Sequence, residues 1–483
     1  MGLYQVALSI FALLLTLCSS GTPVTVSRLM TKYKAEGKTD SVYKVITAGL
    51  GFTLLIAVPV CALFYILGGK LSFLFADERA LKIFLIVLPG LVFTSLYAVI
   101  RGVFWGNKDF LPYSIIELLE EAVMIIVGII LITFCTDIYD GAFRAGVAVL
   151  ISYIFSFTTA SIVFFVRKNK LKNPKTELKP LIKSAAPITA MRTATSLAMS
   201  LVSVILPIRL VAAGMSESLA MSAFGSAMGQ AIPLLFIPTT LIGSFTLVLV
   251  PEIAENYYKK RHYYLRRDIE KAIKFATVLS CVFIPVFLVC GEEIGILIFG
   301  GHESGKYLTA SCFLMIFMAL SSVTTSMLNS IGLENKTLIY YVISGVFMLL
   351  SIWFLPSVMG VYSLIVGLTF VYGLTTILNL RLINKSCVEK PRYKRFLVGT
   401  ISLLFPTALV GIMLEKMLLS LLGSFFTLVV CALVMVAFYS ALALGFNLIE
   451  VKPLIEKVKS SLLKNDKITR RKRINKREKV VIK

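Results

Sequence analysis

Charge, histidine and long polar connections are all scarce in this 483-residue sequence. Only 16% of the residues are charged while 57% are hydrophobic, against roughly 25% and 45 to 50% in soluble globular domains. That excludes an ordinary soluble enzyme. The two histidines, His262 and His302, fall in loops far apart in sequence, so neither a metal site nor a histidine-based catalytic group is indicated. The eight cysteines contain no CxxC pair and sit mostly in apolar stretches, so they read as small buried side chains rather than as a zinc or redox motif. The longest polar connections, near residues 167–183 and 255–271, are too short to hold a catalytic domain. Neither enzymatic activity nor a cofactor is therefore expected. The opening MGLYQVALSI lacks the basic leader of a signal peptide.

Apolar runs fill the chain instead. About thirteen segments are long enough to cross a hydrocarbon core of roughly 30 Å, at residues 3–27, 43–67, 80–101, 113–134, 143–166, 181–212, 223–251, 270–299, 308–331, 337–357, 360–381, 396–415 and 420–448. The expected fold class is all-α, a polytopic membrane protein. A net charge of +23 would suggest nucleic acid in a soluble chain. Here about 41 of the 49 basic residues lie in alternate loops, the pattern of cytoplasmic retention. No nucleic-acid partner is expected, and the C-terminus is placed in the cytoplasm. The basic tail ending KNDKITRRKRINKREKVVIK is suited to anionic membrane lipid, and equally to topological retention alone.

Two stretches of the chain repeat at an offset near 225 residues. GGKLSFLF (68–75) returns as GEEIGILIFG (291–300), RGVFWGNK (101–108) as NSIGLENK (329–336), and TPVTVSRL (22–29) as LVLVPEIA (247–254). Duplications of this size build transporters from two bundles around a central site. The expected domains are an N-terminal bundle over 1–175, a C-terminal bundle over 176–390, two further helices over 391–450 and a basic tail over 451–483. The first copy has five spans and the second six. The expectation is that the first helix is missing and the chain starts about 30 residues late; the alternative is a native thirteen-span protein with a short translocated N-terminus.

Charges at bilayer depth are costly, so they mark functional candidates. Arg192 falls near mid-membrane and suits a bidentate anchor for a phosphate or pyrophosphate head group, or else a structural pair with a buried glutamate. Arg209 should reach the outer interface by snorkelling. Glu117, Glu120 and Glu121 share one helical face and are candidates for proton or sodium coupling, with an interfacial pairing to Lys108 or Arg101 the favoured reading for Glu117. Pro233, Pro238 and Gly243 in the seventh span, with Gln230 as an internal polar group, and Gly21, Pro23 and Arg28 in the first, are expected to bend or break helices beside a cavity.

MGLYQ, SGTPVTVSRL, RGVFWGNKDFLPYSIIELLEE and PLLFIPTTLIGSFTLVLVPEIAE together resemble the stage V sporulation protein B-like polysaccharide biosynthesis flippases of the multidrug/oligosaccharidyl-lipid/polysaccharide exporter superfamily. Glu120 matches their pattern, while Trp105, Glu117 and Met124 depart from it. The resemblance implies two six-helix bundles plus two C-terminal helices. It also implies alternating-access flipping of undecaprenyl-linked saccharides, such as lipid II, across a bacterial plasma membrane. From their own positions, Arg192, Arg28 and Gln230 are the head-group candidates for that cargo. The alternative function is a cation-coupled multidrug exporter using Glu120 and Glu121. A membrane-embedded glycosyltransferase would need a sizeable outer loop, and the outer loops are short.

Overall fold

A computed structural model describes residues 2–67, 78–135, 138–167, 169–419, 423–446 and 448. All regular structure among them is helical, as hydrocarbon requires of a backbone that must satisfy its own hydrogen bonds. The first helices are α1 (Gly2–Ser19), α2 (Thr22–Ala35), α3 (Thr39–Leu67), α4 (Glu78–Val87), α5 (Gly90–Gly106), α6 (Phe110–Thr133), α7 (Ile138–Val166), α8 (Leu178–Ala212) and α9 (Glu217–Phe224). They are followed by α10 (Ile232–Tyr258), α11 (His262–Val289), α12 (Gly291–Phe299), α13 (His302–Ser311), α14 (Leu314–Ser330) and α15 (Glu334–Phe354). Short α16 (Pro356–Met359) and α17 (Ser363–Thr369) lead to α18 (Thr375–Ser386), α19 (Lys394–Ser402), α20 (Leu404–Leu419) and α21 (Ser424–Gly445).

Ten stretches are long and apolar enough to span a membrane, or twelve when two bent helix pairs are each counted as one. Each of the thirteen expected spans coincides with one of these or with α6. Three glutamates, Glu117, Glu120 and Glu121, keep the 24-residue α6 out of the apolar set. Lipid-facing positions are recognisable by large exposed apolar side chains such as Leu55, Ile66 and Ile129. The GGKLSFLF copy of the repeat and the basic tail lie outside the described residues.

The chain divides into two compact units. One comprises residues 1–276 and 313–391, the other 277–312 and 392–483. In the first, Val26, Met30, Ile46, Val99, Phe104 and Leu181 form one apolar cluster from α2, α3, α5 and α8, and Phe11, Ala57, Phe84 and Leu91 form another from α1, α3, α4 and α5. In the second, α12 and α13 cross on glycine, since a Cβ on Gly305 would lie 2.6 Å from the Glu292 Cα. Fully buried Tyr439 on α21 donates its hydroxyl to the Thr400 carbonyl on α19 at 3.1 Å.

The repeat is visible in how helices end. The helices carrying its matched segments are α2 and α10, and α5 and α14, and all four close with the same cap. The residue after each C-cap, Gly37, Lys108, Lys260 or Gly332, is left-handed. In each case the next amide reaches back across the last turn: Lys38 to the Tyr33 carbonyl, Asp109 to Phe104, Arg261 to Asn256 and Leu333 to Leu328, at 2.8 to 3.0 Å. This is the Schellman arrangement, which favours glycine at the left-handed position. Lys260, with φ of 53°, carries strain there. Lys260→Gly should stabilise the protein by about 1 kcal/mol, read as a higher apparent thermal midpoint in detergent.

The seventh span is distorted, but not where its prolines suggest. Gly225–Ala231, including Gln230, forms a π-helical turn, and Pro233 follows in the first turn of α10. Pro238 and Gly243 lie inside the continuous α10 rather than at a break. A wider turn upstream of Pro233 absorbs the strain that helix-interior prolines otherwise impose. In the first span the break falls at Ser20–Gly21, just before Pro23 in the first turn of α2.

Candidate functional site

The α1–α2 junction, α5, α6, α8 and α10 enclose a cavity of about 920 Å³. Helical spacing presents its wall: Tyr97 and Arg101 are four apart on α5, as are Ser244 and Val248 on α10. The acidic face of α6 contributes Glu117, Glu120 and Glu121, and α8 contributes Arg192.

Five charges therefore share one cavity, and two of them neutralise each other. Arg101 Nη1 lies 3.0 Å from Glu117 Oε1, with its guanidinium 5.4 Å from the Trp105 ring centroid and 6.0 Å from that of Tyr97. Trp105 in turn packs edge-on against Tyr113 at 5.7 Å. Among the described residues, Arg192, Glu120 and Glu121 have no ion-pair partner, and Arg192 has no hydrogen-bond partner. In the same wall the Ser20 Oγ, the Tyr97 hydroxyl and the Arg101 Nε are buried without a partner. Unpaired polar groups at bilayer depth are expensive, so this wall is built to receive a polar or charged ligand.

Arg192 sits near the middle of the 35-residue α8. One turn before it, Thr189 Oγ1 accepts a hydrogen bond from the Gly21 amide at 3.2 Å. A Cβ on Gly21 would stand 2.5 Å from the Ala185 carbonyl oxygen. Only glycine allows the α1–α2 break to press so closely on α8, and that contact sets where Arg192 enters the cavity.

The other sequence candidates lie elsewhere. Arg28 is buried, with Nη1 2.5 Å from Glu334 Oε2 and 3.3 Å from the Asn329 carbonyl, and it does not line the cavity. Gln230 is likewise absent from the lining. Arg209 donates to the Trp353 carbonyl at 2.8 Å and lies over the Trp353 ring. Arg101 pairs with Glu117 as one of the two partners expected from the sequence, but its place in the cavity wall is what sequence reading missed. The signal was available in Tyr97, Arg101 and Trp105, a cation flanked at helical spacing by two aromatic rings.

The chain belongs to the polysaccharide biosynthesis protein family, whose pattern matches residues 1–257. It is 24% identical over 371 residues to stage V sporulation protein B of Bacillus subtilis (strain 168), covering 71% of each chain. With lipid II flippase MurJ of the same strain it is 22% identical over 333 residues, 62% of this chain and 58% of that one. Among solved structures, the Vibrio cholerae MATE transporter VcmN in the bent form superposes with a TM-score of 0.65 at 16% identity, over 78% of this chain and 86% of that one. A MATE in the straight conformation gives 0.68 at 15% identity, over 80% and 88%. The protein is a multi-pass membrane protein with the MATE transporter fold.

Proposed function

We propose that the chain is an alternating-access flippase for undecaprenyl-linked saccharides, lipid II among them, in a bacterial plasma membrane with its C-terminus in the cytoplasm. The observation that carries this reading is the unpaired Arg192 in a membrane-embedded cavity. A guanidinium stays charged at any physiological pH and binds a phosphate in bidentate fashion. The cavity supplies polar surface for a sugar, while the polyprenyl chain remains in lipid. No bond is made or broken, so the protein acts as a transporter and not as an enzyme. Anionic lipids around the basic tail are its proposed membrane partners, and nucleic acid is not a partner.

Glu120 and Glu121 favour a coupled mechanism. Two carboxylates without ion-pair partners in the wall of the anion site can take up a proton or sodium ion when the head group leaves, so that the cavity never crosses the membrane with an uncompensated charge. The same pair supports the second reading, a cation-coupled drug exporter. Binding in nanodiscs separates the two: lipid II, a different undecaprenyl-pyrophosphate glycan and a cationic dye are offered in turn. Saturable glycan binding is the expected result; dye binding without glycan binding would establish the exporter. Glu120→Gln with Glu121→Gln should slow transport at least tenfold and flatten its pH profile, and an unchanged profile would remove both acids from the coupling step.

A further inference from the structure

The two copies of the repeat meet through crossed ion pairs at the end of the first unit where the basic loops lie. Arg28 on α2, in the first copy, pairs with Glu334, the first residue of α15 just past the α14 cap, in the second. Lys108, after α5 in the first copy, pairs with Glu255 on α10 in the second, at 2.6 Å. In each pair a helix of one copy thus meets the junction between two helices of the other. The first copy supplies both cations and the second both anions. A third contact has the same polarity, with Lys32 Nζ 5.4 Å from the Tyr258 ring centroid.

The Arg28–Glu334 pair is built into the core. Both residues are buried, Thr337 donates to Asn329 Oδ1 and to the Glu334 carbonyl at 2.8 Å, and Gly332, with φ of 89°, leaves the space that the Arg28 guanidinium occupies. The Lys108–Glu255 pair is partly exposed, and Glu255 is shared with Lys259 on its own helix at 2.8 Å. Lys108 occupies the left-handed position of the α5 cap, with φ of 59°, where Gly37 and Gly332 serve the equivalent helices.

These pairs stand directly beyond the cavity. On α10, Val248 lines the wall and Glu255 follows seven residues later, about 10 Å along the axis; on α5, Arg101 lines the wall and Lys108 ends the helix. We propose that the two crossed pairs form an electrostatic latch that shuts the cavity toward the basic-loop face, and that both must open for that face to admit substrate. The proposal rests on the alternating-access reading, but its test needs no substrate and can fail independently of it.

The test is sided thiol labelling. Among the described residues Cys135 is the exposed native cysteine, so Cys135→Ser is combined with Ser244→Cys as a cavity reporter, in vesicles presenting one face or the other to an impermeant maleimide. Lys108→Glu or Glu255→Lys should speed labelling from the basic-loop face by about two- to fivefold. The swapped double variant should return it part of the way to the starting rate, because Lys259 one turn from position 255 repels the introduced lysine. Arg28→Gln with Glu334→Gln, which removes a buried pair without leaving a lone charge, should likewise speed labelling from that face, by about twofold or more. If charge reversal prevents folding, the neutral Glu255→Gln supplies the same measurement. Folded variants that label at the original rate would overturn the latch, as would acceleration equal from both faces or a swap that restores nothing.

Discussion

Arg192→Gln is expected to reduce binding and transport of a pyrophosphate-linked glycan at least a hundredfold while leaving the protein folded. The size follows from the setting. Charge-assisted hydrogen bonds to a phosphate are worth roughly twice neutral ones, and removing one partner of a close, desolvated pair costs about 2 to 5 kcal/mol. Folding should be spared because Arg192 makes no ion pair or hydrogen bond within the described structure. Arg192→Lys should recover only part of the loss, since an ammonium keeps the charge without the fork geometry. Direct binding to nanodiscs, with monodispersity as the folding control, checks both variants. Wild-type affinity in Arg192→Gln would move the anion site away from this cavity.

Gly102→Ala should have the largest effect on stability, a loss of about 3 kcal/mol. Its added Cβ would lie 2.6 Å from the Pro23 carbonyl oxygen and 2.9 Å from the Pro23 Cα. These are backbone atoms of α2, and no rotamer change can relieve the clash. Separating α2 from α5 also displaces Arg28 from Glu334 and Arg101 from its place in the cavity wall, so activity should fall with stability. Gly51→Ala, on α3 with open space around it, is the control and should leave the apparent thermal midpoint within error or raise it. A similar midpoint for both variants would show that α2 and α5 can part without cost.

Individual residues show how far sequence reasoning reached. Arg192 stood out because a charge at bilayer depth is conspicuous in any apolar window, and Glu117, Glu120 and Glu121 because their spacing places them on one face. The structure brings all four to one cavity. Arg28 carried the same kind of signal and plays a different part, as its partner Glu334 lies 306 residues away. Arg101 was hidden by its position at the end of an apolar run, where a loop cation and a cavity cation look alike. In the seventh span the prolines marked the right helix, but the distortion falls in the π-helical Gly225–Ala231, which has no strong sequence signature.

The sequence by itself determined the class of protein, its helices and its internal repeat. Hydrocarbon permits a spanning segment only when it is long, apolar and internally hydrogen-bonded, and these properties are local and can be read one segment at a time. Only the tertiary structure decided which charges cancel. Arg28 meets Glu334 and Arg101 meets Glu117, leaving Arg192, Glu120 and Glu121 to face the cavity without ion pairs. Coulomb attraction and hydrogen bonding act over a few ångströms in space. Folding alone sets those distances, so the partner of each charge depends on how the helices pack.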